Sequence, residues 1–475
     1  MADFGYDVAD YTDVDPVFGT LNDFDLVVAE AHRLGLRVII DFVPNHSSDQ
    51  HPWFKASRQS RTNSKRDWYI WRDPAPDGGP PNNWLSVFGG PAWTFDEATG
   101  QYYLHSFLKE QPDLNWRNPE VEAAMHDALR FWMARGVDGF RIDVAHFIMK
   151  DPELRDDPPN PGGTTMHKDM GAYGSLLHVH SCGHEDVHAA YRRMRRVIDT
   201  YEPTRERYMV GETHLFDWKE WARYYGDTLD EMHQPFNFGL LNVEWTAEAV
   251  RAHVDAIEAV LPEGAWPTYV LDNHDETRLA TRYGEEYVGL AAMLLLTLRG
   301  TPTLYYGDEL GMPEANIPPD RQHDPWGQRV PGLGRDGCRT PMQWDASPGA
   351  GFTMADPWLP IPDDYRTRNV AEQHAQADST LALYKRLLAL RSASPALHQG
   401  AYHPLDIILP ACFAFERVTE QERRLIVLNF SDAAVDIDVP NDYSRVVCST
   451  ASVSARSLNG QQFTIAPFEG VIVAP

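Results

Sequence analysis

The chain has 475 residues, 43% of them hydrophobic and 23% charged, which at roughly 150 residues per domain allows two or three domains around a large core. Its 42 basic and 69 acidic residues leave a formal charge of -27, a balance that disfavours nucleic acid and anionic membrane surfaces as partners. The start, Met1 to Asp7, has neither a basic nor an apolar leader region, no window offers the ~20 apolar residues of a membrane span, and Cys182, Cys338, Cys412 and Cys448 match no metal or redox spacing, so the expectation is a cytoplasmic protein with reduced thiols.

Leu21, Phe24, Val27, Val28, Ala31 and Leu34 recur at helical spacing, with Gly35 as a stop, and an apolar run from Leu36 to Phe42 follows as a buried strand. That strand ends in Asp41, Asn45 and His46. From His46 to Trp116 the chain is rich in Trp, Pro, Gly and Asn and is too long for an ordinary connection, which suggests an inserted subdomain. A second helix opens at Asn118 and Pro119 and closes at Gly136, and the next strand leads to Asp143. A third helix, around Tyr191 to Tyr201, precedes a strand ending in Gly211-Glu212. Later apolar runs end in Asp272-Asn273-His274-Asp275 and Tyr305-Tyr306-Gly307-Asp308-Glu309. Helices alternating with short apolar strands, with polar residues at the strands' carboxyl ends, predict a (β/α)8 barrel of the TIM type. After Ser392 short β-prone pieces such as Leu425 to Leu428 predict an antiparallel β domain. The domain boundaries read this way are 1–45 and 117–392 for the barrel, 46–116 for the insertion and 393–475 for a C-terminal β-sandwich.

Glycosidic bond hydrolysis needs one carboxylic acid to protonate the leaving oxygen and a second carboxylate that either attacks C1 or activates water. Asp143 and Glu212 stand at the ends of different predicted strands. Strand periodicity puts Arg141 on the same face as Asp143, where a guanidinium favours an ionised nucleophile. Glu212 has no basic residue immediately before it, a setting compatible with a proton-carrying acid. Asp275, beside His274, offers a third carboxylate for sugar hydroxyls.

These segments resemble the α-amylase family of glycoside hydrolases over nearly the whole chain. Asp41-Phe42-Val43-Pro44-Asn45-His46 is similar to the family's third-strand motif, Gly139-Phe140-Arg141-Ile142-Asp143 to its nucleophile motif, Gly211-Glu212 to its acid/base motif, and Asn273-His274-Asp275 to the motif of the third carboxylate. The resemblance implies a retaining mechanism in which Asp143 attacks, Glu212 acts as acid and then base, and Asp275 stabilises the transition state, with Asp143 and Glu212 ~5–5.5 Å apart. It also implies sugar contacts from His46, Arg141 and His274, while Asp41 either touches the sugar or braces Arg141.

Gln111-Pro112-Asp113-Leu114-Asn115-Trp116 and the loop Pro331 to Trp344 resemble the oligo-1,6-glucosidase and α-glucosidase branch, which implies an exo-acting enzyme on short oligosaccharides. There Asp3 and Arg335 would close the pocket, Tyr6 would stack on the sugar, and Val144 beside the nucleophile leans toward α-1,6 linkages. Asp275-Glu276-Thr277-Arg278 departs from the Gln-Pro-Arg continuation common among oligo-1,6-glucosidases, so glucosyl transfer or isomerisation stands as the alternative, and a non-catalytic amylase-like scaffold as the rival class. Six barrel strands are readable, near Val38, Val137, Met209, Phe236, Tyr269 and Leu304. The barrel's first two strands are expected to be missing from the N-terminal side, together with the first-strand loop that carries calcium in many relatives, so no cofactor is expected.

Overall fold

The computed structural model describes residues 1–162, 168–405, 411–440, 442–454, 456–458 and 462–475. They form two compact units: 1–236 with 262–265 and 325–333, and 237–261 with 266–324 and 334–475.

In the first unit, Thr20 caps the helix Leu21–Arg33: its hydroxyl accepts the Asp23 N–H, and the Asp23 carboxylate accepts the Thr20 N–H at 2.8 Å. Gly35 takes the left-handed conformation after it, at φ 77°. Strand β1 is Ile39–Phe42. It is shorter than the apolar run that predicts it, and Leu36 and Ile39 remain exposed. The segment that follows forms the helix Pro52–Gln59 and an antiparallel sheet in the order β2 (Trp71–Arg72), β4 (Gln101–Leu104), β3 (Trp93–Asp96). Its core is aromatic, with Phe54 stacked on Trp71 at 5.7 Å and edge-on to Tyr69 and Tyr103.

The helix Pro119–Ala134, capped by the Asn118 side chain, leads to β5 (Gly139–Ile142), and the helix Asp186–Tyr201 to β6 (Tyr208–Gly211). With β7 (Gln234–Pro235) these make a parallel sheet ordered β1, β5, β6, β7. The register sets Arg141 beside Asp41 on one side and Val210 on the other. Asp143 and Glu212 therefore leave their strands at the same carboxyl end. Close packing fixes the residue before Glu212, because a Cβ on Gly211 would lie 2.0 Å from the Met232 sulfur.

The second unit holds the parallel pair β8 (Thr268–Val270) and β9 (Thr301–Thr303). The six parallel strands thus fall where the sequence places them, although β7 spans only two residues. The helix Val288–Thr297 is apolar on every face and buried at every position but Gly289. Strands β10 (Ala401–Pro404), β11 (Cys412–Val418), β12 (Arg423–Asn429), β13 (Val435–Asp438), β14 (Arg445–Ser449), β15 (Arg456–Ser457), β16 (Gln462–Ile465) and β17 (Gly470–Ala474) follow. They pair as an antiparallel sheet ordered β10, β11, β12, β17, β14, β15 and a second pair β13, β16. One apolar cluster joins Leu425, Val427 and Val471 of the large sheet to Ile437 and Ile465 of the small one. Arg417 of β11 and Arg391 reach the carboxyl end of the buried helix, donating to Thr297 O at 2.6 Å and Leu296 O at 2.8 Å. The four cysteines are free and buried, and no helix among the described residues is long and apolar enough to cross a membrane.

Candidate active site

In the first unit the charged groups converge on one guanidinium. Arg141 Nη1 donates to Asp143 Oδ1 at 2.8 Å and to Asp41 Oδ1 at 2.7 Å, and Nη2 lies 2.8 Å from Glu212 Oε2. Asp143 and Glu212 are buried, whereas the Asp41 side chain is about half exposed, at 46%. Burial opposes the charge on Arg141, but Glu212, Tyr6, Asp41 and Asp143 outweigh it and raise its pKa, so it is a permanent cation. The structure corrects one sequence expectation here. No basic residue precedes Glu212 in the chain, yet the neighbouring strand supplies one, since the register lets the Arg141 side chain reach across β6.

Val144 follows the nucleophile position with φ 36° and ψ 50°, a left-handed conformation that a β-branched residue rarely adopts. The turn is held from outside: the Val144 N–H donates to Glu212 Oε2 at 3.0 Å and the Ala145 N–H to Glu212 O at 2.8 Å. His214 Nε2 approaches the other oxygen, Oε1, at 2.9 Å.

The Tyr6 hydroxyl lies 3.3 Å from both Arg141 Nη1 and Asp41 Oδ2, so it joins the ionic network. His46 is buried. Its Nε2 lies 3.0 Å from Tyr6 O and 3.1 Å from Gln111 Nε2, and burial lowers its pKa despite Asp113 and Asp3 nearby. Gln111 also donates to Asp3 Oδ2 at 3.3 Å, which ties the buried Asp3 to the inserted segment. Behind this layer, buried Lys150 Nζ sits 2.6 Å from both Asn45 Oδ1 and Asp113 Oδ2. Burial pushes Asp113 up, but Lys150 and the Ser106 donors hold its carboxyl below the usual range. This cluster brings together the two motifs around Asn45 and Asp113.

In the second unit, Asp275 Oδ1 accepts from Arg335 Nη1 at 3.0 Å and Arg339 Nη2 at 2.8 Å, and Oδ2 lies 3.2 Å from His274 Nε2. The Asn273 side chain receives the Asp275 N–H at 2.8 Å and fixes the turn. Arg335 is buried and gripped by Asp324, with Nη2 2.7 Å from Oδ1 and Nε 3.0 Å from Oδ2. Sequence reasoning missed Lys150, His214, Asp324 and Arg339. Of these only Arg339 lies in a segment with a recognisable pattern. Lys150 and Asp324 partner residues 11 or more positions away and carry no local signal, and His214, two residues beyond Glu212, has no pattern of its own that assigns it a role.

A parallel sheet with paired carboxylates at the carboxyl ends of its strands is the arrangement that a glycoside hydrolase built on an α/β barrel requires. The chain belongs to the α-amylase family, family 13 of the glycoside hydrolases. Residues 1–400 match the alpha amylase catalytic domain, a TIM barrel, and residues 412–472 match the alpha-amylase SusG C-terminal domain. The chain is 42% identical over 93% of its length to a probable alpha-glucosidase of Rhizobium meliloti (strain 1021), of which it covers 81%. It is 34% identical over 92% of its length to an oligo-1,6-glucosidase of Parageobacillus thermoglucosidasius, covering 82% of it. It is also 40% identical over 84% of its length to an amino acid transporter heavy chain of Homo sapiens, covering 58% of that protein. Among solved structures, the alpha-glucosyl transfer enzyme XgtA superposes with a TM-score of 0.93 at 37% identity, covering 100% of this chain and 90% of that one.

Proposed function

We propose that the chain is a retaining, exo-acting α-glucosidase that removes terminal glucose from short oligosaccharides, with α-1,6 preferred over α-1,4 linkages. The observation that carries this reading is the single Arg141 guanidinium spanning Asp143 and Glu212. In a retaining mechanism one carboxylate attacks C1 while the other protonates the departing oxygen, and both must lie beside the same bond. Asp143, ionised against Arg141, is the nucleophile. Glu212 gives its proton to the leaving oxygen and takes one back from the water that releases the sugar. Asp275, oriented by Arg335 and Arg339, is assigned by its motif to the charge that develops on the ring.

Their motifs assign Asp3 and Arg335, both buried, to restricting the enzyme to chain ends, and Tyr6, Asp41, His46 and His274 to binding of the terminal glucose. Val144 is assigned to linkage preference. No metal is invoked. The concentrated buried oxygen acceptors behind the first-unit site, Asn45 and Asp113, already hold the Lys150 ammonium.

The test is glucose release from isomaltose and maltose by the full chain and by Asp143→Asn. Turnover favouring isomaltose, lost in the variant, supports the reading; no release from either sugar overturns it. Similarity to XgtA favours glucosyl transfer as the second reading. Trisaccharide formed at high disaccharide concentration, in place of free glucose, would select it.

A further inference from the structure

The Glu212 carboxylate is held asymmetrically. Oε2 faces two donors, the Val144 N–H at 3.0 Å and Arg141 Nη2 at 2.8 Å, and both favour an unprotonated oxygen. A general acid must nevertheless hold a proton in the free enzyme, ready for the leaving group. That proton belongs on Oε1, which His214 Nε2 approaches at 2.9 Å. His214 stands two residues beyond Glu212, and its side chain is only 23% exposed. The His146 ring lies 6.2 Å from it between centroids, and burial, the largest cause, pushes the His146 pKa down to about 3. A neutral His146 adds no charge there. The cation on the far side of the carboxylate is Arg141.

Resting on the glycosidase reading of the site, we infer that His214 is a positioning residue for the general acid: neutral, with its own proton on Nδ1, it accepts through Nε2 the proton carried on Glu212 Oε1. The pair holds that proton until the glycosidic oxygen arrives as a better-placed acceptor. As Asp143 bonds to C1 and the C1–O bond breaks, the proton goes to the departing oxygen and Glu212 becomes a carboxylate. Water attacking C1 then returns a proton to Glu212 and frees Asp143. His214 neither gains nor loses a proton over the cycle. The strained Val144 turn contributes by turning its N–H onto Oε2, which leaves Oε1 as the oxygen that carries the proton.

The experiment compares the wild-type chain with His214→Phe, His214→Ala and His214→Gln, using 4-nitrophenyl α-glucoside, a good leaving group, and isomaltose, a poor one. Losing the acceptor should move the basic limb of kcat/KM about one pH unit or more lower. It should slow isomaltose by ~10-fold or more and the nitrophenyl substrate far less, since a good leaving group needs little protonation. Gln offers an amide oxygen to the same proton without titrating, and should restore both behaviours. An unmoved basic limb, or equal losses on both substrates, in whichever of the Phe and Ala variants keeps the wild-type thermal unfolding, would overturn the inference.

A second readout needs no turnover. In selectively 15N-labelled protein the His214 ring, assigned by its absence in His214→Ala, should be neutral at pH 7 with the proton on Nδ1. A proton on Nε2, or a doubly protonated ring, overturns the inference even if the chain is inactive. An inactive wild type with the expected ring state overturns only the glycosidase reading.

Discussion

Lys150 offers the sharpest test of how the site is supported. Its ammonium is buried, as is its partner Asp113, and the contacts to Asp113 Oδ2 and Asn45 Oδ1 are both 2.6 Å. Lys150→Met keeps the volume of the chain and removes the charge. Breaking a buried pair from one side costs about 3–5 kcal/mol, because the remaining charge is left in a poor solvent. Asp113 keeps the Ser106 N–H at 2.9 Å, the Ser106 hydroxyl at 2.5 Å and Asn45 Nδ2 at 3.3 Å. Those donors soften the loss, so the low end, about 3 kcal/mol, is expected. At ~2 °C per kcal/mol for a unit of this size, the unfolding midpoint should fall by about 6 °C in differential scanning calorimetry. Lys150→Met combined with Asp113→Asn should recover most of it, because an uncharged pair leaves no stranded ion. A single variant that melts with the wild type, or a double variant worse than the single, would show that the pair does not support the Asn45–His46 turn.

Other outcomes follow from the same geometry. Asp324→Ala strands the buried Arg335 guanidinium and should raise KM for isomaltose by ~10-fold or more; unchanged steady-state kinetics would remove Arg335 from the site. Val144→Ala removes two methyl groups beside the nucleophile and should shift the isomaltose-to-maltose ratio of kcat/KM toward maltose by ~10-fold; an unchanged ratio places linkage choice elsewhere. Burial drives several histidine pKa values far below their ordinary value, His51 and His105 to about 4 and His146 to about 3. A lowered folded-state value means that the unfolded chain binds more protons below pH 6.5, so stability falls as the pH drops from about 6.5 toward 4. For His105 that amounts to about 2 kcal/mol between pH 7 and 5. Urea midpoints that stay flat across that interval would contradict the neutral buried rings.

Much of this arrangement is legible in the sequence because its carriers are local. The Thr20 capping box, Asn118 with Pro119, and glycine stops at Gly35 and Gly136 each announce a helix end within a few residues. Asp143 and Glu212 are readable because short apolar strands point to their own carboxyl ends. The Arg141–Asp143 contact needs only two-residue periodicity, and it is present at 2.8 Å. The Arg141–Glu212 contact depends instead on which strand lies next to β5 and in what register, and no local pattern contains that. The Lys150 cluster is harder still, because its partners stand 37 and 105 residues away in sequence and meet only when the inserted segment folds back. Burial is equally non-local: an apolar run says that a strand can be covered, yet Leu36 and Ile39 stay exposed. Val144 shows the same limit, since nothing in its identity announces a left-handed backbone.

In the retaining mechanism proposed for this chain, Asp143 forms a covalent bond to glucose. Incubation with 5-fluoro-α-glucosyl fluoride, which slows release of the glycosyl enzyme, followed by proteolysis and peptide mass spectrometry, tests it directly. The expected result is one fluoroglucosyl adduct on the peptide containing Arg141 to Val144, absent in Asp143→Asn. An adduct on another carboxylate, or steady hydrolysis of the reagent with no adduct at any stage, would contradict the account.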